Sequence, residues 1–328
     1  MPNFHFKTYT YVLFSMGVSV VISHAQPYPS KALRLIVPLA PGGGNDTMAR
    51  LIGQRIAPAL GQQVVVDNRP GAGGIIAAEM VARAPADGYT LLLANVAVMT
   101  IIPNSFSGQK KLPYDPLRDF AAITLIASAP QLVVVHPSLP VKTVKDLIAM
   151  ARARPNTLNY ASNGIGSSTH LATEMFSMMA GVKMVHVPYK GLALAMTDLL
   201  SGQVPLMFSR AVAMLPHVKN GKLRAVAITG NQRSPVLGDV PTVAEAGLKG
   251  YESGSWYGIA APVQTARAIV DRLNTEMVTV IRSKDIQDRL HGEAVIPVGN
   301  SPEAFAAFIR AEHDRMGRVI REAKITLE

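Results

Sequence analysis

The sequence predicts an α/β protein of two domains joined by two crossing strands, the first domain being assembled from both ends of the chain. Three observations carry that prediction. From Leu33 onward short β-rich runs alternate with segments of helical spacing. Two apolar stretches, residues 123–137 and "SWYGIAAP" at 255–262, read as passages from one domain to the other. A chain of 328 residues is long enough for two domains of ordinary size.

In chain order, residues 1–25 come first: polar residues and Lys7, an apolar run over 9–22, then Ser23-His24-Ala25 with small residues at the minus-three and minus-one positions. This is the pattern of a secretory signal peptide cleaved after Ala25. The alternative, an uncleaved anchor, is disfavoured because the apolar run is short of a comfortable span. Strands are expected at 34–37, 64–66 and 89–94, followed by the first crossing at 123–137. Within that crossing an apolar run continues through Ser128-Ala129-Pro130 into Val133-Val134-Val135. A helix at 144–153, a strand at 158–161, a helix at 171–179 and strands at 184–187, 204–208 and 223–228 follow. After the second crossing only helical patterns are read: 265–282, 284–291 and 302–323, with Pro302 suited to a first helical turn. The expected division is therefore residues 26–125 plus 256–328 as domain 1 and 126–255 as domain 2, with two crossovers forming a hinge.

Composition narrows the function classes. There is no cysteine, which excludes a disulfide scaffold, structural zinc-cysteine sites and cysteine nucleophiles. The formal charge is +10, and removal of the leader takes only Lys7. The basic residues are dispersed and no aromatic residues interleave with them, so nucleic acid is not an expected partner and small anions remain open. No H-E-x-x-H pattern or clustered histidines point to a metal, and no motif points to a cofactor.

Two loops carry the chemistry. "LIVPLAPGGGNDTMARLIG", residues 35–53, runs from a strand through Gly42, Gly43 and Gly44 into a helix whose buried face is Met48, Leu51, Ile52 and Ile56. Asp46 stands where an N-cap is expected, and Pro58 is expected to end or kink the helix. It is neither the G-x-G-x-x-G fingerprint nor a P-loop. Ligands of open α/β sheets bind beyond the carboxyl ends of strands, where free N–H groups of a helix favour an anion. A plain tight turn is the other reading of this loop.

The second loop, in "NYASNGIGSSTHLATEMF" at 159–176, repeats the arrangement: a strand, then Ser162-Asn163-Gly164-Ile165-Gly166, then Ser167 or Ser168 capping a helix. Its hydroxyls, the Asn163 amide and the loop N–H groups suit carboxylate oxygens. Ser167 and His170 also invite a hydrolase reading, but their spacing is poor for a nucleophile and base and no G-x-S-x-G elbow is present. His170 reads rather as a polar contact or a packed histidine. Two further strand ends, Tyr189-Lys190-Gly191 and Ser209-Arg210, bring Lys190 and Arg210 as possible positive charge.

Taken as an ordered set, "YPSKALRLIVPLAPGGGNDTMAR", "LGQQVVVDNRPGAGG", "DGYTLL", "YDPLRDF", "NYASNGIGSSTHL", "HVPYKG", "LPHVKNGKLRAVAITG", "DVPTVAEAGLKGYE" and "WYGIAAP" resemble the Bug-type solute receptors, periplasmic binding components related to tripartite tricarboxylate transporters. The resemblance implies a Venus-flytrap fold of two α/β domains with two crossover strands. It also implies a carboxylate gripped between the loops carrying Ala40, Gly42, Gly43, Asn45 and Asp46 and those carrying Ser162, Asn163, Gly166, Ser167, Ser168 and His170, with Ser209 and Arg210 among the more variable contacts. The chain departs from the family pattern at Leu39-Ala40, where an aromatic residue and proline are usual, at Leu194 in place of proline, and at Asn163 in place of a small hydroxyl residue. The expected function is capture of a mono-, di- or tricarboxylate for a membrane transporter. A receptor reporting to a membrane sensor is the first alternative, and a secreted hydrolase or transferase using Ser167, His170 or Asp46 the second.

Overall fold

The computed structural model describes residues 28–106 and 112–325; the expected signal peptide lies outside them. The first strand, β1 (Leu33–Val37), is buried on both faces: Leu35 and Val37 enter one core and Ile36 another. That is the pattern of a strand covered by helices on both sides, and it explains the apolar run Leu35-Ile36-Val37. Beside it lie β2 (Val64–Asn68) and β3 (Thr90–Asn95), both parallel to β1. The helix α1 (Gly44–Leu60) connects β1 to β2, and α2 (Ile75–Ala82) connects β2 to β3.

The crossing strands behave as a pair. β4 (Phe120–Val135) is 16 residues long, and β9 (Gly254–Pro262) runs antiparallel to its first part, between β4 and β3. β4 pairs with β9 as far as Pro130; from Gln131 to Val135 it pairs with β7 (Leu206–Arg210). The second sheet continues through β5 (Asn159–Ser162) to β6 (Val185–Pro188), both joined in parallel, while β8 (Arg224–Ile228) lies antiparallel on the other edge of β4. The two α/β lobes thus share β4, and the two-lobed α/β fold is the one the sequence predicts.

The alternation of strands and helices argues for parallel sheets, and three strands in each lobe are parallel. Every pairing made by β4 or β9 is antiparallel. The chain leaves along one and returns along the other, so side by side they must oppose.

The second lobe's helices are α4 (Val144–Ala153), α5 (Ser168–Ala180), α6 (Leu192–Ser201) and α7 (Ala211–Lys219). After β9 come α8 (Arg267–Ile281), α9 (Lys284–Gly292) and α10 (Pro302–Glu322). The expectation of helices alone in this tail is corrected by β10 (Ile296–Pro297), which pairs with Ala127 and Ser128. Two residues leave no periodicity to read, and the pairing is set by β4. The α10 helix packs on β4 and also on α5, with Phe305 fully buried against Trp256.

Two local expectations are also corrected. The N-cap of α1 is Gly43, which uses no side chain, and Asp46 sits one turn inside. Pro58 does not stop the helix; it runs to Leu60 and closes on Gly61 in the left-handed conformation, which a glycine adopts without strain.

Candidate functional site

Two helix N-termini meet at one cavity. On the first lobe, the turn between β1 and α1 is held by Asp46, whose carboxylate accepts from Gly42 N–H at 3.0 Å and pairs with Arg50. Those bonds, Arg50 first, hold Asp46 well below the usual carboxylate range. It braces the loop from behind.

On the second lobe, Ser167 caps α5: its hydroxyl accepts from His170 N–H at 3.3 Å and donates to the Gly164 carbonyl at 2.7 Å. The Thr169 hydroxyl accepts from Asn163 N–H at 2.9 Å. Gly164 and Gly166 have φ of +127° and +72°, so this tight approach to the helix requires glycine at both.

Between these loops lies a cavity of about 320 Å³. Gly43, Asn45, Asn163, Gly166, Ser167, Ser168 and Arg210, all expected from sequence, line it. Ala40, Gly42, Asp46, Ser162, His170, Lys190 and Ser209 are not among its lining residues. Ser209 is buried in β7, Lys190 is exposed, and the Ser162 hydroxyl lies 2.6 Å from His186 Nε2. Ser209 and Arg210 belong to β7 itself rather than to a loop beyond it.

Sequence reasoning missed Asn95, Thr169 and the wall formed by Ser255, Trp256 and Tyr257. Asn95 is the last residue of β3, so the strand-end rule applied there would have found it. The aromatic pair lay in plain view in the second crossing, and nothing in a strand pattern says which face opens on a cavity. Trp256 Nε1 and, on the loop before α5, Asn163 Oδ1 belong to residues lining this cavity and are buried without a hydrogen-bond partner among the described residues.

The electrostatics favour an anion. None of the lining residues is acidic. Arg210 reaches from β7 to the start of α1, where a β-carbon on Gly44 would lie 2.5 Å from its Nη1 and 2.8 Å from the Tyr257 hydroxyl. Burial pushes that hydroxyl's pKa up, and the neighbouring guanidinium opposes the shift. Arg210 makes no ion pair among the described residues and points its cation at the positive end of a helix, an arrangement an anion would relieve. On its far side is a smaller cavity of about 220 Å³ bounded by α1, α7 and α9.

Behind the α5 loop, His170 and His186 stack with ring centroids 3.8 Å apart and planes 8° from parallel. His170 Nδ1 accepts from Gly166 N–H at 3.1 Å, which places its neutral-state proton on Nε2. Burial, with His186 beside it, lowers the His170 pKa to about 4. The residues of a hydrolase reading are thus each engaged elsewhere: Ser167 with Gly164, His170 with Gly166 and His186, Asp46 with Gly42 and Arg50.

Comparison with known proteins agrees with the fold. BugT of Bordetella pertussis is 35% identical over 312 residues, covering 95% of each chain. The structure of Rpa4515 of R. palustris with adipate is 39% identical with a TM-score of 0.75, covering 91% of this chain and 99% of that one. MatC of Rhodopseudomonas palustris with bound malate is 32% identical with a TM-score of 0.71, covering 89% and 100%. Residues 48–325 match the family described as the tripartite tricarboxylate transporter family receptor, and the chain is a member of that family of periplasmic solute-binding receptors.

Proposed function

We propose that the protein captures a small organic carboxylate in the cavity between its lobes and delivers it to a membrane transporter. The observation that carries this reading is the convergence of two helix N-termini and of Arg210, which makes no ion pair among the described residues, on a cavity with no acidic residue in its described lining. Each N-terminus offers free N–H groups and a partial positive charge, and the Ser167 and Ser168 hydroxyls and Arg210 add charge-assisted bonds. The adipate and malate held by the two similar R. palustris proteins support a carboxylate here.

Capture works by closure. The moving parts are residues 26–125 with 256–328, and residues 126–255, turning about β4 near its exchange of partners and about the start of β9. Contacts made only when both N-termini reach one ligand shift the balance toward the closed form. The ligand leaves chemically unchanged, in keeping with the solute-receptor family to which the chain belongs. The N-terminal leader directs export and is removed by cleavage after Ala25.

The test is a thermal-denaturation screen against organic acids including adipate and malate. A cognate acid at about 100 times its dissociation constant adds about 2.7 kcal/mol. Absence of stabilisation by every carboxylate contradicts the reading.

A further inference from the structure

The geometry points to Asn95 as a positioning residue that fixes the hydrogen-bond polarity of the first lobe's wall, so that this wall donates to its ligand and selects oxygen acceptors. The inference rests on the carboxylate reading and adds a residue and a mechanism to it. Asn95 is 4% exposed, at the end of β3. Its Oδ1 accepts from Ala97 N–H at 2.9 Å and from Val98 N–H at 3.1 Å, at the start of the helical turn 97–101.

An amide NH2 in that position would face two donors, so only one orientation of the Asn95 amide satisfies the backbone. Its Nδ2 must then point the other way, where it donates to Asn45 Oδ1 at 2.8 Å. That bond turns the Asn45 carbonyl toward Asn95 and its NH2 away from it. The Asn45 Nδ2 has no partner among the described residues, and Asn45 lines the cavity beside the first N–H groups of α1. A chain of forced choices therefore runs from two backbone N–H groups, through one buried amide, to an N–H donor at the ligand site. A ligand group that must itself donate, such as an ammonium or the NH2 of a carboxamide, meets a donor there and is disfavoured.

The substitution Asn95→Asp separates this role from simple packing. A carboxylate still accepts from Ala97 and Val98 N–H, so the turn stays capped, but it cannot donate to Asn45. The Asn45 amide must then turn its NH2 toward position 95 and present its carbonyl to the ligand.

The first readout needs no ligand: water exchange of the side-chain amide protons, followed by NMR. In the unaltered protein the Asn95 protons exchange slowly and those of Asn45 rapidly; Asn95→Asp makes the Asn45 protons slow. Protected Asn45 protons in the unaltered protein overturn the inference.

The second readout is adipate affinity by calorimetry for Asn95→Asp, Asn45→Ala and the double variant. Loss of affinity from Asn95→Asp that is about tenfold larger when Asn45 is present supports the relay, because added charge alone acts in both backgrounds. Equal losses in the two backgrounds overturn it. If the unaltered protein binds no adipate while the amide pattern is as stated, the adipate reading falls and the polarity of the pair stands.

Discussion

Gly44 and Arg210 come from opposite lobes and meet at one point of the cleft, where a β-carbon at position 44 would stand 2.5 Å from the Arg210 guanidinium. The absence of a side chain on α1 lets a cation from β7 rest against the helix start. Gly44→Ala is therefore predicted to act on binding rather than on folding. The exposed end of Arg210 can move aside, whereas the hydroxyl of the buried Tyr257, 2.8 Å from that β-carbon, must give slightly, which offsets a helix preference of alanine over glycine of up to about 1 kcal/mol. Carboxylate affinity is expected to fall roughly tenfold, with the melting temperature little changed, as measured by calorimetry beside a thermal melt. A lower melting temperature with unaltered affinity contradicts this placement of Arg210.

Ser167 and Ser168 adjoin in sequence and differ in duty. The Ser167 hydroxyl caps α5 while Ser168 is the first residue of the helix, and both line the cavity. Ser167→Ala is expected to cost about 1 kcal/mol of stability as well as affinity, and Ser168→Ala affinity alone. Together they should weaken carboxylate binding by roughly 1 to 3 kcal/mol. Chemical denaturation and calorimetry on the three variants separate the two effects.

Gly258 on β9 makes room for Phe305 of α10. A β-carbon at 258 would lie 2.1 Å from the ring's Cζ and within 2.9 Å of both Cε atoms, and the ring is fully buried. Gly258→Ala is predicted to destabilise by about 2 to 3 kcal/mol through overpacking. A smaller ring position, Phe305→Leu in the same chain, should restore part of the loss. A neutral Gly258→Ala melt would refute this packing.

Acid should weaken the second lobe through its histidine pair. A histidine whose folded pKa is about 4, against an ordinary 6.5, binds its proton more readily when unfolded. Stability is therefore full above about pH 6.5 and declines as the pH falls toward 4, by roughly 3 kcal/mol once both states are protonated. Burial lowers His186 as well, in the same direction. Protonation also removes the acceptor for Gly166 N–H, so ligand affinity should fall in the same window. An NMR titration placing His170 near 6.5, or denaturation midpoints that do not change between pH 7 and 4.5, would contradict this.

The parts of this molecule legible in its sequence are those built from local rules. The strand, glycine loop and helix start at 35–53 could be read because β1 is apolar on both faces and the loop glycines stand at its carboxyl end. Its counterpart at 159–176 could be read because Ser167 caps with a side chain. Where capping uses only backbone, as at Gly43, no residue announces it, and the nearby Asp46 is the residue that fits the N-cap pattern. The antiparallel course of β4 and β9, the two-residue β10 and the reach of α10 onto α5 come from distant pairing, which no short window contains. Asn95 shows the same limit: its position at a strand end was visible, whereas its bond to Asn45 spans 50 residues.

The most direct measurement is a crystal structure with the organic acid that most raises the melting temperature. The account predicts a carboxylate between the start of α1 at Gly43–Asn45 and the start of α5 at Gly166–Ser168, within reach of Arg210. A ligand seated instead in the smaller cavity beyond Arg210, with the start of α5 free of it, would contradict the central claim.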